Sequence, residues 1–162
     1  MKKVLLTLAL CAFTLVGYAQ KGEMTASAQF MLGVIEDHAS PGFCAKFSYS
    51  VTDPWRLAVS ADYGFKTKGM ATWDVNLDAH YQFFFGRGFR AYPLLGLTVV
   101  GYHIPFEGLD FSLSKACFGI NIGGGAQYDI NKDWAVYTEV KGQIVHDSGS
   151  RFGWSVGGAY KF

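Results

Sequence analysis

Three polar residues stand together near the end of the chain, His146, Asp147 and Ser148. A nucleophilic serine needs a base in reach, and the base needs an orienting acid. His146 precedes Ser148 by two positions, but no Asp or Glu follows Ser148. The triad is therefore incomplete, and the segment is expected to be a polar loop. His38 and His103 are also expected in loops. No spacing joins them to each other or to His80 as metal ligands, so neither a metal nor another cofactor is expected. Cys44 and Cys117 lie far apart in the chain. One disulfide and two free inward-facing thiols both remain open readings, because sequence does not give the distance a bridge demands.

A larger polar set has a different spacing. Lys46, Asp62, Asp74, Asp78, His80, Arg90, Glu139, Lys141, Arg151 and Lys161 sit on the polar parity of alternating segments. Leaving His80 aside, that set has five bases against four acids. Gathered in a closed interior, such groups must pair, because an unpaired buried charge is expensive. The chemistry expected of them is a salt-bridge and hydrogen-bond network.

The elements that would gather them are strands. From Arg151 to Phe162 one parity reads Phe152, Trp154, Val156, Gly158, Tyr160, Phe162, and the other Arg151, Gly153, Ser155, Gly157, Ala159, Lys161. A period of two places these sets on opposite faces of one strand. Seven earlier segments behave alike. The fourth is the clearest, with Trp73, Val75, Leu77, Ala79, Tyr81 and Phe83 opposite Asp74, Asn76, Asp78, His80 and Gln82. The fifth, about Phe89 to Tyr102, is the least regular, with apolar residues on both parities. Loop signals fall at Asp37 to Gly42, Lys66 to Ala71, His103 to Ser114 and His146 to Ser150, and tight turns at Thr52 to Pro54, Gly86 to Gly88 and Asp129 to Asp133. The fold class expected is all-β, an eight-stranded antiparallel up-and-down barrel.

Alternation alone leaves open which face is outside. A soluble carrier barrel would bury the apolar face. Three features favour the inverse. The polar parity is rich in glycine, which makes room in a narrow lumen. The apolar parity carries no charge in the seven regular strands. Aromatics gather at the strand ends, with aliphatic residues between them, as two girdles flanking a bilayer core.

The front of the chain agrees with export. Lys2 and Lys3 precede an apolar run from Val4 to Val16, and Gly17-Tyr18-Ala19 follows. This is a signal peptide over residues 1–19, with cleavage expected between Ala19 and Gln20. The run is shorter than the roughly 20 residues a membrane helix needs. Residues 20–162 then form one barrel domain, and losing Lys2 and Lys3 takes the formal charge from +1 to −1. No basic run suggests a nucleic-acid partner.

These features resemble the small outer-membrane barrel family that includes OmpX and the membrane domain of OmpA, often called the porin family. The resemblance covers the whole mature chain and rests on architecture and the last strand. It implies a place in the outer membrane of a Gram-negative-type bacterium, among lipopolysaccharide, with both termini periplasmic and the longer loops outside. It implies insertion by the barrel assembly machinery, with Trp154, Val156, Tyr160 and Phe162 as the C-terminal signal. A structural or surface-interaction role without catalysis is expected, with a surface ligand reached through the His103–Ser114 loop. The alternatives are a narrow porin-like channel, a soluble lipocalin-like carrier if the faces are inverted, and a lipid A deacylase. The deacylase family uses a His-x-Ser motif at the outer end of a strand. Here the downstream acid is missing, and Gly149-Ser150 follows Ser148 where that family has Asn-Ala.

Overall fold

The computed structural model describes residues 22–35, 38–67, 70–85, 88–105, 112–146 and 149–162. The expected signal peptide and its cleavage point at Ala19 and Gln20 lie outside the described residues. So do residues 106–111 and the pair Asp147–Ser148.

The strands are β1 (Met24–Ile35), β2 (His38–Ser50), β3 (Trp55–Thr67), β4 (Met70–Tyr81), β5 (Phe83–Phe84), β6 (Phe89–Pro105), β7 (Ser112–Asp129), β8 (Trp134–Val145) and β9 (Gly149–Lys161). Each pairs antiparallel with its neighbours. β1 also pairs with β9, and β4 with β6, so the sheet closes on itself. β4 and β5 form one strand of the wall, which makes the barrel eight-stranded. His80 opposite Leu94 and Phe83 opposite Ala91 share a single register. That register puts Tyr81 across from Pro93, whose ring nitrogen has no hydrogen to give. The ladder is interrupted there without changing direction.

The expected loops at the end opposite the termini are corrected. β1 runs to Ile35 and β2 begins at His38, so residues 38–42 are strand. β3 and β4 likewise leave only 68–69 between them. Of the expected His103–Ser114 loop, residues 103–105 and 112–114 are strand, because Pro105 pairs with Ser112. Pro41 misled the reading as a loop signal. It lies where β2 has β1 alone as neighbour, since β2–β3 pairing begins at Gly42 and Gly64. A residue without an N–H is tolerated on such an edge. The expected contrast of long against short loops therefore dissolves, and uneven strand height replaces it. β7 pairs with β8 only from Gly119 onward, so residues 112–118 stand above that neighbour as part of a tall β6–β7 hairpin.

Burial settles the faces. Phe118, Leu97 and Ile122 point out of the barrel at 72, 62 and 57% exposure, whereas Arg56, His80, Asn121 and Gln127 point in at 0%. The soluble-carrier alternative, which needs the apolar face inside, does not fit. At one rim Trp55 packs edge-on to Tyr81 at 5.2 Å, and Tyr160 lies 5.3 Å from Trp134 and 5.2 Å from Phe162. At the other rim Phe43 lies 5.9 Å from Phe30 and 5.4 Å from Phe65. Thr138, a polar residue on the outward face, accepts a 2.9 Å hydrogen bond from Trp154 Nε1. The Trp73 ring lies over Gly101 so closely that a Cβ there would collide with it.

Leu97 sits midway along β6, opposite Leu77 and Ile120. Arg at that depth on a lipid-facing wall costs about 2–4 kcal/mol. Leu97→Arg should lower the unfolding free energy of the bilayer-inserted protein by that amount, measured by urea titration. A change within about ±0.5 kcal/mol, usual for a water-facing site, would mean that the wall meets water.

Candidate functional site in the barrel lumen

The lumen is built by the inward parity of all the wall strands, and its polar groups form layers along the barrel axis. At the mouth beside the termini, Arg90 on β6 grips Glu23 through both carboxylate oxygens, at 2.7 and 2.8 Å, and reaches Asp129 at 2.6 Å. Lys161 lies 3.2 Å from the same Asp129 oxygen. The segment before β1 is thereby tied to the ends of β7 and β9. Asp129 Oδ1 also accepts a 2.6 Å bond from Gln127 Nε2.

Above this mouth lies an aromatic layer. Arg56 Nη1 donates to Gln127 Oε1 and to the Tyr137 hydroxyl, both at 2.7 Å. Its Nε donates to His80 Nδ1 at 3.3 Å. The guanidinium carbon is 4.6 Å from the Tyr92 ring centre and 5.3 Å from that of Tyr137. His80 stacks on Tyr92 at 4.5 Å with the rings 9° from parallel. Tyr92 and Tyr137 also pack with Leu94, Ala135 and Ala159 in one buried cluster. Gly125 makes room for this layer, because a Cβ there would come within 2.6 Å of the Tyr92 hydroxyl.

The middle layer is an ion pair across the barrel. Lys46 Nζ on β2 is 2.6 Å from both oxygens of Glu139 on β8, and Tyr92 donates to Glu139 Oε2 at 2.9 Å. The next layer is an amide-centred web. Asn76 Nδ2 donates to Asp74 Oδ1 at 2.7 Å and to Asp62 Oδ2 at 3.0 Å. Asn121 Nδ2 donates to Asp78 Oδ1 at 2.7 Å and to Asn76 Oδ1 at 2.9 Å. Lys141 Nζ reaches Asp62 Oδ2 at 3.1 Å. Asp62 and Asp74 are direct cross-strand partners, a placement unfavourable for like charges. The Asn76 amide and the Lys141 ammonium offset it.

The structure places Lys46, Asp62, Asp74, Asp78, His80, Glu139, Lys141, Arg151 and Lys161 buried and inward, with Arg90 half-buried at the mouth. They do not form one cluster: Arg90 and Lys161 belong to the terminus mouth, and Arg151 lies toward the opposite one. Sequence reasoning missed Arg56, Glu23 and Asp129. Arg56 shares its parity with Ala58, Ser60 and Asp62, so extending the third strand back by one alternation would have found it. Tyr92 was hidden by the mixed parity of the fifth strand. Cys44 and Cys117 are free and buried, the latter in an apolar cluster with Val100 and Val145. His146 is exposed at the end of β8, and its expected partner Ser148 lies outside the described residues. Among the described residues no group of His, Cys, Asp and Glu is arranged to hold a metal ion.

Removing one partner of a buried ion pair costs about 3–5 kcal/mol, because the other charge is left uncompensated. Glu139→Ala is expected to destabilise the barrel by that much. Lys46→Met combined with Glu139→Ala should cost less than Glu139→Ala alone. Additive losses in denaturant unfolding would show that the two charges are independently solvated.

No protein-family model and no curated protein matches this sequence. Solved structures do. The N-terminal β-barrel domain of Pseudomonas aeruginosa OprF is similar at a TM-score of 0.69 and 20% identity, over 88% of this chain and 100% of that one. Neisserial surface protein A gives 0.68 and 15%, over 87% and 97%. Ail, the attachment invasion locus protein of Yersinia pestis, gives 0.64 and 16%, over 87% and 97%. At these identities the likeness is one of fold: the chain has the architecture of small eight-stranded outer-membrane barrels.

Proposed function

We propose that this chain is an integral outer-membrane β-barrel with a side-chain-filled lumen and a structural or surface-interaction role without catalysis. The observation that carries the reading is the inverted burial, with Leu97 and Phe118 outside and Arg56 and His80 fully inside. Water would penalise that outer wall, since soluble monomers rarely expose contiguous apolar patches beyond a few hundred Å². Hydrocarbon accepts it. Each wall strand meets or exceeds the roughly 9–11 residues a tilted strand needs to cross a bilayer, as β1 with 12 and β7 with 18 residues illustrate.

The uneven height of the barrel supports an orientation in the membrane. The tall β6–β7 hairpin faces the exterior, and both termini face the periplasm, where Arg90, Asp129 and Lys161 close the mouth. That hairpin, including the expected ligand-contacting stretch from His103 to Ser114, is the surface through which a partner or the lipopolysaccharide headgroups would be met. Trp154, Val156 and Tyr160 lie on the outward face of β9, next to the β1 seam, and Phe162 follows the strand, exposed. There they would be presented to the barrel assembly machinery before closure.

The purified, refolded protein should show no steady conductance in planar bilayers, because the Arg56 and Lys46–Glu139 layers fill the section. Stable unitary currents would instead support the narrow channel. Expression of the wild-type chain and of His146→Ala should leave lipid A with the same acyl chains. Loss of an acyl chain with the wild type but not the variant would sink the non-catalytic reading.

A further inference from the structure

The two halves of the lumen differ in the cavities they hold and in how their charged groups are partnered. Toward the hairpin end a cavity of about 30 Å³ is lined by Ser40, Asp62, Thr72, Asp74 and Gln143 among others. A second, of about 20 Å³, continues inward along Cys44, Asp62, Glu139, Lys141 and Ser155. One water needs roughly 10–15 Å³ and two or more polar partners, so both spaces are large enough for water, and the second borders Glu139. Asp62, Asp74, Asp78 and Glu139 face Lys46, Lys141 and Arg151 in this half.

Below Glu139 the partnering of charge changes while burial does not, since Asn76, Asp78 and Asn121 above are as buried as the residues below. Arg56, His80, Gln127, Tyr92, Tyr137 and Leu94 are each 3% exposed or less. Arg56 is held by neutral groups: the Gln127 oxygen, the Tyr137 hydroxyl, His80 Nδ1 and two aromatic faces. Among the described residues no carboxylate lies within ion-pair distance of it. The nearest linked acids are one group removed, Asp129 through Gln127 and Glu139 through Tyr92. A fixed guanidinium in a buried section raises a barrier to cations, because Coulomb repulsion is weakly screened there.

We propose that Arg56 is the ion barrier of this barrel, a carboxylate-free guanidinium set in the Tyr92–Tyr137 floor that stops cations entering from the half that holds the cavities. The Lys46–Glu139 pair, though central, is internally neutral, and its Glu139 borders the second cavity, so it is not the barrier. The inference rests on the closed-lumen reading and locates the closure.

The test is current and reversal potential in planar bilayers under a potassium chloride gradient, on protein shown to be folded by its heat-dependent gel shift. Wild type and Lys46→Met/Glu139→Gln should both stay closed. Tyr92→Ala/Tyr137→Ala should conduct, with chloride favoured severalfold over potassium. Adding Arg56→Gln should abolish or reverse that preference. If the double tyrosine variant does not fold, Tyr137→Val alone carries the same comparison. Conduction by the Lys46/Glu139 variant, silence of the folded tyrosine variant, or a preference unmoved by Arg56→Gln overturns the proposal. Wild-type current would overturn the closed-lumen reading. Arg56 would then keep its assigned part only if that current favours chloride and Arg56→Gln removes the preference.

Discussion

The rest of the structure depends on one constraint. In hydrocarbon no water satisfies a backbone N–H or C=O, so every strand must find partners within the chain. An open sheet fails at its edges, and a closed one does not. The pairing of β1 with β9 and of β4 with β6 is therefore the condition for the other features. Closure makes an inside, the two-residue period of a strand assigns alternate side chains to it, and polar residues collect there because lipid takes the other parity. The stations where pairing fails are informative. Pro93 interrupts the ladder between β4 and β5, and Pro41 lies on a stretch of β2 with one neighbour.

A narrow interior then imposes its own rule. Side chains from opposite walls of so small a barrel meet across it, so its charges are desolvated by one another and must be matched. Lys46 and Glu139 come from β2 and β8, and Arg56 and Tyr137 from β3 and β8. Such contacts cross the barrel rather than run along the sheet. They couple strands that share no backbone hydrogen bonds, which stiffens the section as a whole. The glycines of β7 and β9 are part of this economy of space. Gly125 accommodates Tyr92, and without that room the aromatic floor would not close.

The face and approximate span of most strands were legible in the sequence, because alternation is a property of single strands. The fourth, sixth and last strands show it most plainly, and their inward residues lie where the pattern puts them. Strand ends were less legible. Pro41 and Pro105 look like punctuation, and only pairing on one side explains why strands run through or up to them. The fifth strand was illegible in its facing, because Tyr92, Leu94 and Val100 are apolar yet inward. Their partners, Tyr137 and Cys117 among them, come from other strands and cannot be seen from local sequence. The lumen was legible as a set of residues but not as layers. Who pairs with whom depends on the stagger between strands, and that is fixed by closure.

The central claim is that the apolar outer wall is solvated by a membrane. It is tested most directly by fractionating cells that make the full chain and comparing heated with unheated samples of each fraction on a detergent gel. A closed membrane barrel resists the detergent until heated, so the protein should appear in the outer-membrane fraction and change its migration on heating. Recovery in the soluble periplasmic fraction, with the same migration before and after heating, would contradict the account.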